Sequence, residues 1–455
     1  MKAIGIDIGT TSISAVVVDT ESKSVLQTIT VPNAARIPGG EPWERLQDAD
    51  LILDTAHDIL KRLSSVWGPV DAIGLDGQMH GMVYLNQAGK AVSPLYTWQD
   101  GRGDLPYGDS TYAEALSHET GYALRSGYGI TTHFWNVVHH NVPNDATSFC
   151  SIADYVALRL CGKTAPVMHL SNAASFGAIH PQTLSWDFDA LQRAGIPSTC
   201  FPEVSADIVP LGDTETGIPV FSAIGDNQAS LIGSIRDMEN SMLINMGTGG
   251  QVSMLQTRQG RADDIESRPL NGNQRVWVGS VLCGGRSYAI LESFIRGCAR
   301  LAGYSGGNLY DCMNQEGLKA LENPRDLVFD TRFCGTRREP NLRGSISGIS
   351  EENFNVGSLI ASCMLGMAEE VYELYRQILR IEEKPVGVLI GSGNAIRKSS
   401  ALRAAFQKRF GLEMLVPAHE EEAAFGACLT ALTGIGYYPN LARAQAEMVQ
   451  YSGAI

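Results

Sequence analysis

The sequence predicts an α/β protein built from two copies of one unit, and three observations predict it. The first is Lys2–Thr20, KAIGIDIGTTSISAVVVDT, which reads as a strand Ala3–Ile6, a tight turn Asp7–Thr11 and a returning strand Ser12–Val18. β-Branched residues and alternation favour the strands, and Gly9 permits the turn. The second is a near copy, Asn240–Gln256, NSMLINMGTGGQVSMLQ, with a Gly-Thr-Gly turn. The third is the order of elements after each hairpin. A helical stretch Leu51–Val66, a strand Ala72–Leu75 and a loop Gly77–Gly81 come after the first. Leu359–Leu379, Val386–Ile390 and Gly391–Asn394 come after the second in the same order. A repeated order of hairpin, helix, strand and glycine loop indicates duplication. The 455 residues suit two domains, taken as 1–235 and 236–455.

Along the chain, the first turn offers small residues, two hydroxyls and backbone N–H groups that can cup an anion, and Asp7 at the strand end can hold a hydrated Mg²⁺. An ordinary hairpin turn is the alternative. The helix at Leu51–Val66 sets Leu51, Ile52, Ala56, Ile59, Leu60 and Leu63 on one face. Its exit strand delivers Asp76, Gly77, Gln78, Met79 and His80 into a loop at the carboxyl end of a strand, where ligand loops of α/β sheets gather. A hairpin turning at Asn86–Lys90 leads to Thr97–Arg102, TWQDGR, whose Trp98, Asp100 and Arg102 combine a stacking face with charged hydrogen-bonding groups, a mixture that suits polyols. A structural Trp beside a local ion pair is the other reading.

In the glycine-aromatic stretch Gly121–His140, His133, His139 and His140 have no acidic partner at metal-binding spacing. Ser151–Leu160 reads as a helix with Asp154 near its start, and Leu170–Gly177 as a loop. The strand Val220–Ala223 runs into Ile224–Ser230, IGDNQAS, where Asp226 is either a helix N-cap or a base. In the second half, Val276–Leu282 reads as a strand and Tyr288–Leu301 as a helix burying Leu291, Phe294, Ile295 and Cys298. Cys334–Ile349 reads as a polar, basic loop, and the segment after Glu420 as a closely packed helix with acids at its N-terminus.

Composition narrows the class. Hydrophobic residues make up 44% and charged residues 18%, and the net charge of −14 argues against a nucleic-acid binder or a ligand of anionic membranes. Phosphate would have to be held by backbone amides and metal. No signal-like opening or bilayer-length apolar run is seen, and nine cysteines without a C-x-x-C pair suggest reduced thiols in the cytoplasm.

These residues carry a family resemblance. GIDIGTTS (Gly5–Ser12), GQMHG (Gly77–Gly81), TWQDGR, IGDNQAS, NMGTGG (Asn245–Gly250), GSGNAIR (Gly391–Arg397) and EEAAFGA (Glu421–Ala427) are similar to motifs of the FGGY carbohydrate kinases, in the same order and over nearly the whole chain. TWQDGR, the GYGITTHFW stretch and SNAASFG are closest to sedoheptulokinases, while xylulokinases share GQMHG and a W-x-D-x-R cluster. The chain departs from the family's G-E-R-x-P loop at Gly335–Pro340, GTRREP.

The resemblance implies the actin-like, ribonuclease H-like duplicated fold with an interdomain cleft, sugar on the N-terminal domain and nucleotide on the C-terminal one. It implies ATP and Mg²⁺ as cofactors, a small ketose as substrate and Asp226 as general base. Gly9, Thr10, Thr11, Gly247, Thr248 and Gly249 correspond to the phosphate turns. Gly391, Ser392, Gly393 and Asn394 correspond to the adenosine loop, Asp7 to the metal-side carboxylate, and Gln78, Met79, His80, Trp98, Asp100 and Arg102 to the sugar side. The small residues Gly127, Gly129, Ala173 and Ala174 are expected to give a heptulose pocket its depth. Xylulose is the alternative substrate, and an actin-like ATPase or silent sugar sensor the alternative class; the oligomeric state, homodimer included, stays open.

Overall fold

A computed structural model describes residues 1–323 and 326–452, so the last three residues of the expected second domain lie outside the described residues. The chain divides into two compact units. The first contains Met1–Arg236, Pro269–Gln274 and His419–Val449, and the second contains Asp237–Arg268, Arg275–Ala418 and Gln450–Ile455.

In chain order, the first unit supplies β1 (Lys2–Ile8), β2 (Ser12–Asp19), β3 (Ser24–Pro32), α1 (Ala49–Trp67), β4 (Ala72–Gly77), α2 (Gly129–Val138), α3 (Ile152–Leu160), α4 (Leu170–Phe176), β5 (Pro210–Asp213), β6 (Pro219–Phe221), β7 (Ile224–Gly225) and α5 (Asp226–Ser234). Its main sheet runs β5-β6-β4-β1-β2-β3, with β7 also paired to β4. Both central strands are apolar on each face: Ala3, Ile4, Ile6 and Ile8 of β1 are fully buried, as are Ala72, Ile73 and Leu75 of β4. This is the pattern of strands covered on both sides.

The second sheet and its helices comprise β8 (Ser241–Met246), β9 (Gly250–Gln256), β10 (Ile265–Asn271), β11 (Gln274–Val281), α6 (Gly284–Leu301), α7 (Val356–Glu382), β12 (Val388–Ser392), α8 (Asn394–Lys398) and β13 (Met414–Leu415), in strand order β10-β11-β9-β8-β12-β13, all in the second unit except the end of β10 and Gln274 of β11. The duplication is visible in the pairing. β1 is antiparallel to β2 and parallel to β4, and β8 is antiparallel to β9 and parallel to β12. Matched registers set Asp7 beside Asp76 in the first sheet and Asn245 beside Ser392 in the second.

The last long element packs away from its place in chain order, after the expected division at 235/236. The helix α9 (Glu422–Gly434), read as part of the second domain, belongs to the first unit. It lies against β1, β4 and α5 at backbone distance. A Cβ on Gly5 or Gly74 would overlap the carbonyl oxygen of Ala424 or Ala427, and one on Gly426 or Gly233 that of Ala229 or Glu422. Only residues without a side chain allow this approach. Ala424, Ala427 and Ala431 complete the seam, all fully buried.

Other expectations shift for local reasons. Asp76, Gly77, Gly391 and Ser392 lie in strands, because pairing with β1 and β8 carries on to the glycine turns. Leu170–Phe176 is a helix rather than a loop, capped by the His169 side chain, which accepts from Ser171 N. The N-cap of α5 is Gly225, leaving Asp226 as its first helical residue. Leu51 and Phe294 are exposed large apolar residues and Cys298 is exposed, at the margins of their helices' apolar stripes. No helix among the described residues is long and apolar enough to cross a membrane.

The seam gives a test against a control. Gly74→Ala is expected to destabilise the protein by about 1–3 kcal/mol or more, the cost of overpacking. Gly297→Ala, in the exposed part of α6 where an added Cβ would meet nothing within 4 Å, is expected to stabilise by about 0.5–1 kcal/mol through helix propensity. Thermal midpoints of both variants check this; equal midpoints would contradict the packing account.

Candidate active site

Four carboxylates gather in the first unit. Asp7 on β1 and Asp76 on β4 are register partners, Asp226 opens α5, and Glu421 precedes α9. Asp76 is fully buried, and with both acids ionised neither of its carboxylate oxygens, nor Oδ1 of Asp7, has a hydrogen-bond partner. With one protonated, the two carboxyl groups hydrogen-bond each other. Burial foremost, then the charges of Asp226 and Glu421, push Asp7 up to about 7 despite that bond. Burial and the charges of Asp7, Asp226 and Glu421 hold Asp76 well above the usual carboxylate range.

A buried network holds the strand segment that leads into Asp226. Asn172 on α4 donates through Nδ2 to the carbonyl oxygen of Ala223 at 3.1 Å and to Asp154 Oδ2 at 3.4 Å. Gly225 N–H donates to Ser171 Oγ at 3.0 Å. Asp154 also accepts from Ser151 Oγ at 2.6 Å, and burial pushes its carboxyl up to about 7. Asp154, Ser171 and Asn172 are positioning groups to which motif reading gives no role. The signal for Ser171 and Asn172 is the SNAAS run, hidden as long as that stretch reads as a loop.

The first turn is tied down by side chains. Trp98 Nε1 donates to Thr10 Oγ1 at 2.9 Å, Thr10 Oγ1 donates to Gln78 Oε1 at 3.2 Å, and Gln78 Nε2 donates to Gln47 Oε1 at 2.9 Å. Gln47 Nε2 donates in turn to the carbonyl oxygen of Thr10 at 2.8 Å, and Asn33 Nδ2 to that of Gly9 at 2.9 Å. The structure thus brings Gly9, Thr10, Thr11, Gln78 and Trp98 together, with Trp98 exposed.

His80 has a φ of 72°, in the left-handed region. Its N–H donates to Ser175 Oγ at 2.9 Å, and its ring stacks on Tyr128 at 4.5 Å between centroids. Nδ1 lies 2.6 Å from the carbonyl oxygen of Ser175, which assigns the proton to Nδ1. Met79 is buried and packs on Gly225, where a Cβ would come within 2.7 Å of its sulfur.

Asp100 and Arg102 sit below this surface. Both are buried, and Arg102 donates Nε to Asp100 Oδ1 at 2.6 Å and Nη1 to Asn136 Oδ1 at 3.1 Å. The guanidinium also lies over Tyr96 at 4.2 Å and over Trp135 at 4.8 Å. The expected pocket depth at Gly127 and Gly129 is filled: a Cβ there would overlap Trp98 O or the Phe176 ring. Ala173 is fully buried.

In the second unit the turn Gly247-Thr248-Gly249 abuts the start of α6. Gly285 N–H donates to Gly247 O at 2.9 Å and Arg286 N–H to Thr248 O at 3.1 Å. Gly393, with φ 82°, turns beside them, and a Cβ there would come within 2.6 Å of Met246 O. Gly391 and Ser392 lead into this turn on β12, and Asn394 opens α8. A Cβ on Gly247 would meet no protein atom within 4 Å, so its turn has open approach. Gly284–Arg286, after the strand ending at Val281, escape motif reading as site residues; the Cys-Gly-Gly after a strand is their signal. Among the described residues no three His, Cys, Asp or Glu side chains form a metal-holding group. The orphaned oxygens of Asp7 and Asp76 nonetheless fit Mg²⁺, which is commonly bound by one or two carboxylates with water completing its shell.

Comparisons relate the chain to known proteins. Residues 2–233 match the FGGY family of carbohydrate kinases, N-terminal domain. The chain is 26% identical to sedoheptulokinase of Mus musculus over 476 residues, covering 94% of this chain and 97% of that protein. Its fold is similar to a xylulose kinase from Brucella ovis, with a TM-score of 0.84 at 17% identity over 100% of this chain and 94% of the other. It is also similar to Plasmodium falciparum glycerol kinase with ADP, with a TM-score of 0.80 at 16% identity over 99% of this chain and 93% of the other.

Asp154 supplies a test of the site's electrostatics. Between the unfolded carboxylate value of about 4 and the folded value of about 7, the folded state keeps a proton that the unfolded state has lost. Stability therefore falls as pH rises through that window, by up to about 1.4 kcal/mol per pH unit for this group. Asp154→Asn is expected to lessen the fall of the thermal midpoint between about pH 4.5 and 7, the remainder coming from the other raised carboxyls; an unchanged profile would remove Asp154 from the balance.

Proposed function

This chain belongs to the FGGY family of carbohydrate kinases, and from that premise we propose that it transfers the terminal phosphoryl group of ATP to the terminal primary hydroxyl of D-sedoheptulose, giving sedoheptulose 7-phosphate. The observation that carries the substrate is the likeness to a sedoheptulokinase along nearly the full length of both chains, with TWQDGR, GYGITTHFW and SNAASFG as its local support. Xylulose is the second reading, favoured by the fold likeness to a xylulose kinase. A cytoplasmic setting accords with the free cysteines.

In this reading Asp226 is the general base. An alcohol is too weak an acid for a carboxylate to deprotonate in advance. In the loose transition state of phosphoryl transfer, Asp226 therefore orients the hydroxyl and accepts its proton late. Ser171, Asn172 and Asp154 fix the strand segment that leads into it, which matters because an alignment error of about 1 Å can cost about 10²-fold. Gln78, Met79, His80 and Trp98 face the sugar, with the His80 ring held by the bond from Nδ1 to Ser175. Asp100 and Arg102 act from beneath, holding the Trp98 loop.

Backbone N–H groups of Gly9, Thr10 and Thr11, and of Gly247, Thr248 and Gly249, hold phosphate oxygens, and Gly391, Ser392, Gly393 and Asn394 border the adenosine. Asp7 holds Mg²⁺, which when bound neutralises phosphate charge. The open approach at Gly247 supports the close contact that phosphate binding needs.

Measured ADP release with D-sedoheptulose, D-xylulose, D-ribulose, D-fructose, D-gluconate and glycerol tests the proposal. The highest kcat/KM is expected for sedoheptulose. If xylulose exceeds it tenfold, about 1.4 kcal/mol of transition-state binding, the heptulose assignment is wrong and the kinase stands. If no sugar accelerates release, the sugar-sensor reading replaces it.

A further inference from the structure

We propose that Asp76 is a second carboxylate ligand of the divalent cation held by Asp7, so that the protein binds the cation before any nucleotide arrives. The inference deepens the cation site of the proposed function and rests on that reading for its use. Its support is geometric. Asp7 and Asp76 are register partners on parallel neighbours β1 and β4. Two residues earlier on the same strands, Gly5 and Gly74 face α9, so the pleat turns both carboxylates toward that same side. Adjacent strands lie about 4.8 Å apart. That separation lets one oxygen from each acid reach a single ion with Mg–O distances of about 2.1 Å.

The burial demands a partner. With both acids ionised, three oxygens of the pair are buried without a hydrogen bond, and the charges that bear on both acids are carboxylates, Asp226 at the start of α5 and Glu421 before α9. Ionised carboxylates removed from water are tolerated only when they are paired or bind metal. Cys428 on α9, which Asp76 also influences, donates its thiol to the carbonyl oxygen of Ala3 and offers no positive charge.

The duplication supplies an internal control. The same two register positions in the second sheet hold Asn245 and Ser392, so the fold builds this strand pair without any acid. Two acids appear only in the unit that also carries Asp226. A shared proton is the competing occupant of the space between them, and cation binding separates the two.

The test titrates Mn²⁺ into the nucleotide-free, full-length protein at about pH 7.5 and reads free Mn²⁺ by electron paramagnetic resonance. One site per chain is expected, displaced by Mg²⁺ and weakened at least tenfold in Asp76→Ser, the residue found at the matching position of the second unit. Asp76→Asn, nearly isosteric, guards against misfolding: Mg²⁺ is expected to raise the melting temperature of the parent protein and to leave that of this variant unmoved. Absence of Mn²⁺ binding to the parent protein, or equal affinity in Asp76→Ser, overturns the proposal in favour of a shared proton. Neither sugar nor ATP enters the measurement. A failed sugar panel with intact Mn²⁺ binding would therefore reject the kinase substrate and leave this site standing.

Discussion

Backbone-to-backbone contact between α9 and the first sheet is the constraint on which the site depends. Gly5 and Gly74 remove the side chains that would hold the helix off β1 and β4, and Gly233 and Gly426 do the same between α5 and α9. With the three elements drawn together, the ends of β1 and β4 and the region of the α5 and α9 N-termini converge. Asp7, Asp76, Asp226 and Glu421 occupy those ends. A helix N-terminus carries partial positive charge, which offsets part of the cost of collecting anions there. The same glycines thus serve packing and chemistry.

The collection is costly to the fold. Buried like charges shift their pKa values upward, and each shift is stability lost as pH rises. Asp154 adds to that cost away from the pair. Proteins hold such strained arrangements where function requires them and recover stability elsewhere. Here the recovery lies in the apolar sheet, where the central strands are buried on both faces, and in the buried hydrogen bonds that tie α4 to β7.

Much of this was legible in the sequence because its signals are local. Strand alternation, glycine turns and the repeated order of elements exposed the duplication, and Asp226, His80 and the paired turns stood out as candidates beside strand ends. The features that stayed hidden depend on tertiary contacts. Leu170–Phe176 is too short and too rich in Ser and Asn to announce a helix; its cap at His169 and its bonds to Asp154 and Ala223 decide it. The return of α9 to the first unit leaves no mark on chain order. Asp76 was visible as a residue, but its pairing with Asp7 is a matter of strand register. Periodicity also assigned Leu51 and Phe294 to the buried face, because a helical stripe does not define its own edges. The polar mixture at Trp98, Asp100 and Arg102 pointed outward in sequence terms, whereas Arg102 spends its donors on Asp100 and Asn136.

The central claim is that Asp226, held at the start of α5 by the α4 network, takes the proton of the sugar hydroxyl. Steady-state turnover of Asp226→Asn, with ketose affinity measured calorimetrically on the same folded variant, tests it most directly. The account predicts kcat lowered on the order of 10²-fold or more, the usual size of a general-base effect, with ketose binding retained. Turnover close to that of the parent protein would contradict it.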